Sequence, residues 1–527
     1  MAEQTDGALP QDSAAGAPAA PRTLPAREAP LAMAPDEFRR LGHALVETLA
    51  AFLGSLPDRP VTTGDAPGAI RALLDAGQPL PVPGADAGDL LRSTAELLFD
   101  HSLFNGHPRF FGYITSSPAP IGILGEFLAA AVNANVGAWR LAPVASEIEA
   151  QTVRWIAELI GYPRDCGGLF VSGGNMANFV GLLAARAAAA DWDIRRAGLA
   201  APEARQLRVY ASAETHTWVQ KATDLAGVGT DAIRWISTGP DLRIDTEALR
   251  AALDRDRAAG DRPLMVIGTA GTVSTGAVDP LFAMAEICRE AGAWFHVDGA
   301  YGAFAAAVPG TPDDLQALRL ADSVAVDPHK WLYAPLEAGC ILVRNPEKLR
   351  SAFAYHPPYY HFGEEATNYV DFGPQNSRGF RALKVWLALR QVGRDGYVRM
   401  IGDDIALSER LRASVAAHPE LEVRTQGLSI TTFRYIPADL RPQNATPAAD
   451  PYLNALNEAL LERIQSSGEA FVSNAVVRGH YLLRACIVNL HTGAADVDAV
   501  PEIVARLGRE VDAGMRDSRP LPGHMES

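Results

Sequence analysis

Four short stretches hold residue types that could do chemistry, and each follows an apolar run. In VAVDPHKW (324–331), Lys330 sits between His329 and Trp331 at the end of a strand-like segment. A lysine there is costly to desolvate unless it is paired, neutral or chemically consumed. Partial burial favours the neutral amine, which attacks an aldehyde to form a Schiff base. An isolated lysine would snorkel to solvent instead, but Asp327, Pro328, His329 and Trp331 are unusual company for a plain strand exit. In WFHVDGAYG (294–302), Asp298 ends a second apolar run. It could be a turn or helix-cap aspartate. Set about 4 Å from a cationic ring nitrogen, it would instead contribute about 4 kcal/mol, roughly a thousandfold in the nitrogen's proton affinity. That would keep a pyridine ring protonated at neutral pH.

The third stretch is SGGNMAN (172–178), whose Gly173-Gly174 pair stands between a strand and a helix. The pair either makes a tight turn or exposes backbone N–H groups at the positive end of a helix, where a phosphate would bind. It is neither a Walker loop nor a dinucleotide fingerprint. The fourth is His216 in ASAETHTW (211–218), either a helix-start histidine or a ring that lies flat over an aromatic cofactor. Each signal alone has a bland reading. Taken together, a phosphate cradle, a carboxylate for a ring nitrogen, a lysine for an aldehyde and a stacking histidine describe pyridoxal phosphate.

The elements that must position these residues are legible as texture. From about residue 150, short β-rich runs ending in Gly, Asp or Ser alternate with helical segments, which predicts a mostly parallel sheet covered by helices on both faces. In such sheets ligands sit beyond the carboxyl ends of the strands, where all four stretches fall. Residues 35–56 show helical spacing with acids early, and further helical stretches run to about 105. After about 380 comes a long helical region, then a small α+β unit with VRTQGLSITTFRY and YLLRACIVNLHTG as its expected strands.

The chain has 527 residues, 48% hydrophobic and 21% charged, with net charge −15, so nucleic acid and anionic membranes are poor candidates as main partners. Cys166, Cys288, Cys340 and Cys486 lie far apart with no CxxC pair, which suggests reduced thiols of a cytoplasmic protein with no metal site. Residues 1–33, rich in Ala and Pro, read as a disordered leader.

The chain resembles the group II pyridoxal-phosphate-dependent amino-acid decarboxylases, the family of aromatic-L-amino-acid decarboxylase, over about residues 34–512. The resemblance rests on HPRFFGY (107–113), SGGNMAN, HVDGAYG (296–302), DPHKW (327–331) and SRGFRALKVW (377–386). It implies an α/β protein of fold type I, aspartate aminotransferase-like. That means a mostly parallel seven-stranded sheet in a large domain (119–386), an N-terminal helical dimerisation segment (34–118) and a small C-terminal α+β domain (387–515). It implies that Lys330 carries the cofactor and that Asp298 partners the pyridine nitrogen. Gly174 and Asn175 fall where the family binds phosphate, Asp327 and His329 fall near the same end, and His216 matches the histidine stacked on the ring. Tyr113 and Trp139 fall on the substrate side.

The segment 353–373 resembles the family's mobile loop, whose tyrosine matches Tyr359, with Tyr360 adjacent. In the family that tyrosine protonates Cα after carbon dioxide leaves, and phenylalanine there accompanies aldehyde formation. Asn175 and Met176 depart from the usual residues, and Gly137 stands where animal relatives carry a bulky aromatic. The expectation is a homodimer with active sites at the interface that decarboxylates an L-amino acid, with an aromatic one favoured. The alternatives are a glutamate-type decarboxylase, an aldehyde-forming relative or a catalytically silent homologue.

Overall fold

The computed structural model describes residues 29–356, 366–441 and 449–518; the expected leader up to residue 28 and the loop tyrosines Tyr359 and Tyr360 lie outside the described residues. Contacts group the chain up to Gly54 with Pro81–Leu97, and group Ser55–Leu80 with everything from Leu98 onward. The first unit is helical, formed by most of the helices Pro35–Ser55 and Ala87–Asp100.

The second unit is built on a seven-stranded sheet: β1 (Gly167–Val171), β2 (Leu207–Ser212), β3 (Ile233–Ile236), β4 (Arg262–Thr269), β5 (Trp294–Asp298), β6 (Ser323–Val326) and β7 (Gly339–Val343), in the order β1-β7-β6-β5-β4-β2-β3. β7 is antiparallel to both neighbours and the other pairs are parallel. The central strands are buried on both faces, so they read as continuous apolar runs. Along them side chains still alternate. Phe295, Val297, Val324, Val326 and Leu342 join one core, while Ala325, Ile341 and Val343 pack on the opposite face with Ala177, Val180 and Ala184 of the helix Gly174–Ala189.

The helix Ala382–Ala417 runs through the expected domain boundary at 386/387 and is broken once, at Gly393, whose φ of 67° and ψ of 174° are non-helical. Glycine alone adopts such a positive φ without strain. Beyond it, β8 (Leu421–Gly427), β9 (Ile430–Tyr435), β10 (Ser473–Val477) and β11 (His480–Cys486) form an antiparallel sheet in the order β10-β11-β9-β8. VRTQGLSITTFRY is thus a hairpin rather than one strand, turning at Leu428-Ser429. No helix among the described residues is long and apolar enough to cross a membrane.

A buried ion pair joins segments distant in sequence. The Glu149 and Arg378 side chains are 0% and 1% exposed and paired. Arg378 also donates to the carbonyls of Val136 (2.8 Å) and Phe170 (2.7 Å), and Glu149 accepts from the backbone N–H of Phe170 at 2.9 Å. Removing the cation leaves a carboxylate uncompensated in the core. Arg378→Met should therefore lower the unfolding free energy by about 3–5 kcal/mol in urea titrations, and adding Glu149→Leu should recover much of it.

Candidate active site

Topology brings the four stretches to one edge. β1, β2, β5 and β6 all end there, and β7, running the other way, begins there at Gly339. Lys330 lies in the short helix Pro328–Trp331 directly after β6, started by Asp327 and Pro328. Its Nζ sits 3.0 Å from Asp327 Oδ2, and His329 Nε2 lies 3.7 Å from the same oxygen. The Asp327 side chain is only 3% exposed, and its Oδ1 is buried with no hydrogen-bond partner among the described residues. His329 is held through Nδ1, 2.7 Å from the carbonyl of Ala338. Burial lowers its pKa below the ordinary histidine value, against the opposing pull of Asp327.

Across from Asp327 is the glycine turn. Gly173, at φ 147°, caps the helix Gly174–Ala189 with no side-chain hydrogen bond, so the first N–H groups of that helix, including those of Gly174 and Asn175, receive no cap from it. A Cβ on Gly174 would lie 2.7 Å from Asp327 Oδ2, and one on Gly339 would lie 2.4 Å from the backbone of Gly173. Backbones this close leave a cradle that side chains would fill.

Asp298, at the end of β5, is 7% exposed. Its Oδ2 accepts from the Trp218 indole N–H at 2.7 Å and its Oδ1 from the backbone N–H of Ala300 at 3.2 Å. His216 stands in the turn between β2 and the helix Trp218–Leu225, and its Nδ1 accepts from the Trp218 backbone N–H at 3.2 Å. The proton of the neutral ring is therefore on Nε2. Burial lowers the His216 pKa first of all; Asp298 opposes that shift and Lys330 adds to it, so these groups act on one another electrostatically.

Two further residues of the predicted set make their described contacts elsewhere. Tyr113, at φ 52°, is 57% exposed; its carbonyl accepts from Arg484 Nη1 at 3.0 Å. Trp139 lines a cavity of about 360 Å³ with Pro143, Val144, Glu147 and Arg154, and its indole donates to Glu147 at 2.9 Å. No residue of the Lys330 cluster lines that cavity.

Sequence reasoning missed three residues. Trp218 is one. Arg484 is another: it is 2% exposed, and its Nε and Nη2 are buried without a partner among the described residues. The third is Asp404, which accepts from Trp331 Nε1 (2.8 Å) and the Tyr333 hydroxyl (2.7 Å), while Tyr397 donates to the Leu332 carbonyl at 3.1 Å. The helix Ala382–Ala417 thus grips the chain on the far side of Lys330. A charged residue at the end of an apolar run signals the lysine; nothing in a long helical run signals the aspartate that anchors its loop.

A seven-stranded sheet with one reversed strand, and a part-buried lysine beside a glycine-started helix, defines the α/β pyridoxal-phosphate enzymes of fold type I. The model of the pyridoxal-dependent decarboxylase conserved domain matches residues 69–436, and the chain belongs to that family as a pyridoxal-phosphate-dependent carboxy-lyase. It is 32% identical over 486 residues (91% of this chain, 97% of the relative) to an aromatic-L-amino-acid decarboxylase of Bacillus atrophaeus. It is 30% identical over 466 residues (86% and 91%) to a phenylacetaldehyde synthase of a Rosa hybrid cultivar. The crystal structure of Oryza sativa TDC with PLP and tryptamine superposes with a TM-score of 0.84 at 28% identity, covering 92% of this chain and 99% of that one.

The residues present fit pyridoxal phosphate. The glycine cradle leaves room at a helix N-terminus, Asp327 Oδ1 is buried and unfilled, and an amine, a carboxylate and a neutral imidazole share the edge.

Burial raises the Asp404 carboxyl to about 7 against the pull of its two donors. The unfolded carboxyl titrates near 4, so its contribution to stability is complete below that pH and is lost as pH rises toward 7. Asp404→Asn should gain stability relative to the parent by roughly 2 kcal/mol between about pH 5 and pH 7.5 in parallel unfolding curves. An offset constant over that range would show that Asp404 does not titrate within it.

Proposed function

We propose that the protein removes the α-carboxylate of an aromatic L-amino acid as carbon dioxide and releases the amine. The observation that carries this reading is the joint presence, at one sheet edge, of the Lys330–Asp327 pair, the glycine cradle, Asp298 and the neutral His216. The aromatic substrate is supported by the Bacillus atrophaeus relative. When bound, pyridoxal phosphate would supply the electron sink for the pair left on Cα as carbon dioxide departs.

The chain's own residues do the rest. Backbone N–H groups of Gly174 and Asn175 would bind the phosphate at the helix N-terminus. Lys330 would supply the amine that holds the cofactor, with the Asp327 carboxylate balancing its charge and His329 beside it. Asp298 would keep a proton on the cofactor's ring nitrogen, and His216 would lie against the ring with its Nε2–H available to orient substrate. Arg484 offers unfilled guanidinium donors beside Tyr113 to a carboxylate. Tyr359, or Tyr360 next to it, returns a proton to Cα.

A second reading, aldehyde formation, is favoured by the likeness to the Rosa phenylacetaldehyde synthase. Products separate the two: amine and carbon dioxide alone, or aldehyde with ammonia and peroxide. We further infer a cytoplasmic homodimer. Leu124, Phe127, Leu128 and Val132 of the helix Pro120–Val132 are all about half exposed or more, an apolar face suited to a second copy.

The purified protein should release carbon dioxide from aromatic amino acids in preference to glutamate. Lys330→Ala should abolish both turnover and the borohydride-trapped cofactor adduct. Trapping on another lysine would move the site. Sedimentation should show a dimer, and an active monomer would contradict the assembly.

A further inference from the structure

Trp218 reaches into the site through two different atoms. Its backbone N–H donates to His216 Nδ1 at 3.2 Å, and its indole Nε1–H donates to Asp298 Oδ2 at 2.7 Å. An indole nitrogen can only donate, so the direction of the second bond is fixed. The side chain is 1% exposed and stands edge-on to His296, with ring centroids 5.7 Å apart at 77°. His296 is itself held on both nitrogens, by Asn178 Oδ1 and Ser323 Oγ at 2.7 Å each. The indole therefore leans on a ring that cannot swing. On the other side of the carboxylate, Ala300 N–H fixes Oδ1. Two donors from separate elements set the carboxylate plane and leave its remaining lone pairs for one further donor.

We propose that Trp218 is a positioning residue for the reaction: it holds the Asp298 carboxylate and the His216 imidazole in register, so that the edge and the face of one planar ring are met together. The inference rests on the reading that these two residues hold the cofactor ring. A side chain that merely filled this volume would need no N–H. A hydrogen bond to a charged group is worth more than a neutral one, and leaving the acceptor short of a donor in a buried site costs more again. Loss of the indole N–H frees the carboxylate to rotate about its own χ2 while leaving the apolar packing in place.

The test is Trp218→Phe, which keeps an aromatic ring and the backbone N–H and removes only the indole donor. Turnover should fall about tenfold or more with KM changed less than about threefold, and cofactor should dissociate about tenfold more readily. A readout independent of activity comes from cofactor-free protein. The indole proton of Trp218, assigned by its absence from the Phe variant in ¹⁵N-resolved NMR spectra, should be protected from solvent exchange in the parent and lose that protection in Asp298→Ala. Parental turnover and cofactor affinity in Trp218→Phe would overturn the proposal, as would equal indole exchange with and without the Asp298 carboxylate. If Trp218→Phe fails to fold, the exchange comparison between parent and Asp298→Ala decides. Near-normal turnover in Asp298→Ala would sink the underlying reading; an inactive Asp298→Ala beside a fully active Trp218→Phe would sink only the role of Trp218.

Discussion

Asp327 and Lys330 meet at 3.0 Å just beyond β6, the carboxylate buried and the amine part-buried, and much of the site is arranged around keeping that pair intact. The Asp327 carboxylate alone would be poorly tolerated there, because a buried ion without its partner costs several kcal/mol. The carboxylate can approach the glycine turn because Gly174 has no Cβ to obstruct it. The lysine stays near the carboxylate because Trp331, Leu332 and Tyr333, the residues that follow it, are tied to Asp404 and Tyr397 of the helix Ala382–Ala417. A local electrostatic requirement thereby fixes a backbone turn on one side and a helix of a different layer on the other.

The same economy of charge runs through the histidines. Burial drives His216, His329 and His296 toward their neutral forms, His296 to about 4. Neutral imidazoles add hydrogen-bonding capacity without adding cations to an edge that already holds an ammonium. The unfilled polar atoms, Asp327 Oδ1 and two nitrogens of Arg484, are then the places where a ligand's charge has most to gain.

How much of this was written in the sequence differs by residue. The alternation of apolar runs with helical stretches is a strong signal, because central parallel strands must be apolar on both faces, and the sheet follows from it. Lys330, Asp298, His216 and the glycine pair were visible because each is a polar or flexible residue at the end of such a run. Trp218 was not, since a tryptophan opening a helix looks like core until its indole is seen against Asp298. Asp404 was hidden for the opposite reason: an acidic residue in a long polar helix looks like solvated surface, yet it is 3% exposed. The division of VRTQGLSITTFRY into β8 and β9 was missed because Leu428 takes a positive φ, a turn conformation that leucine rarely adopts.

The reversed strand β7 carries a consequence for how the chain is made. β1 sits at the sheet's edge and hydrogen-bonds only to β7 within that sheet. During synthesis, β1 and the glycine turn after it emerge first, but their partner is among the last of the sheet strands to leave the ribosome. The half-site for phosphate must wait, with an open strand edge, while β2 to β6 arrive. Pairing at such long sequence separation is slow and leaves an edge available to wrong partners. The nascent protein is therefore most vulnerable before residue 343 has appeared, and the closing of the sheet and the assembly of the cradle against Asp327 are one event.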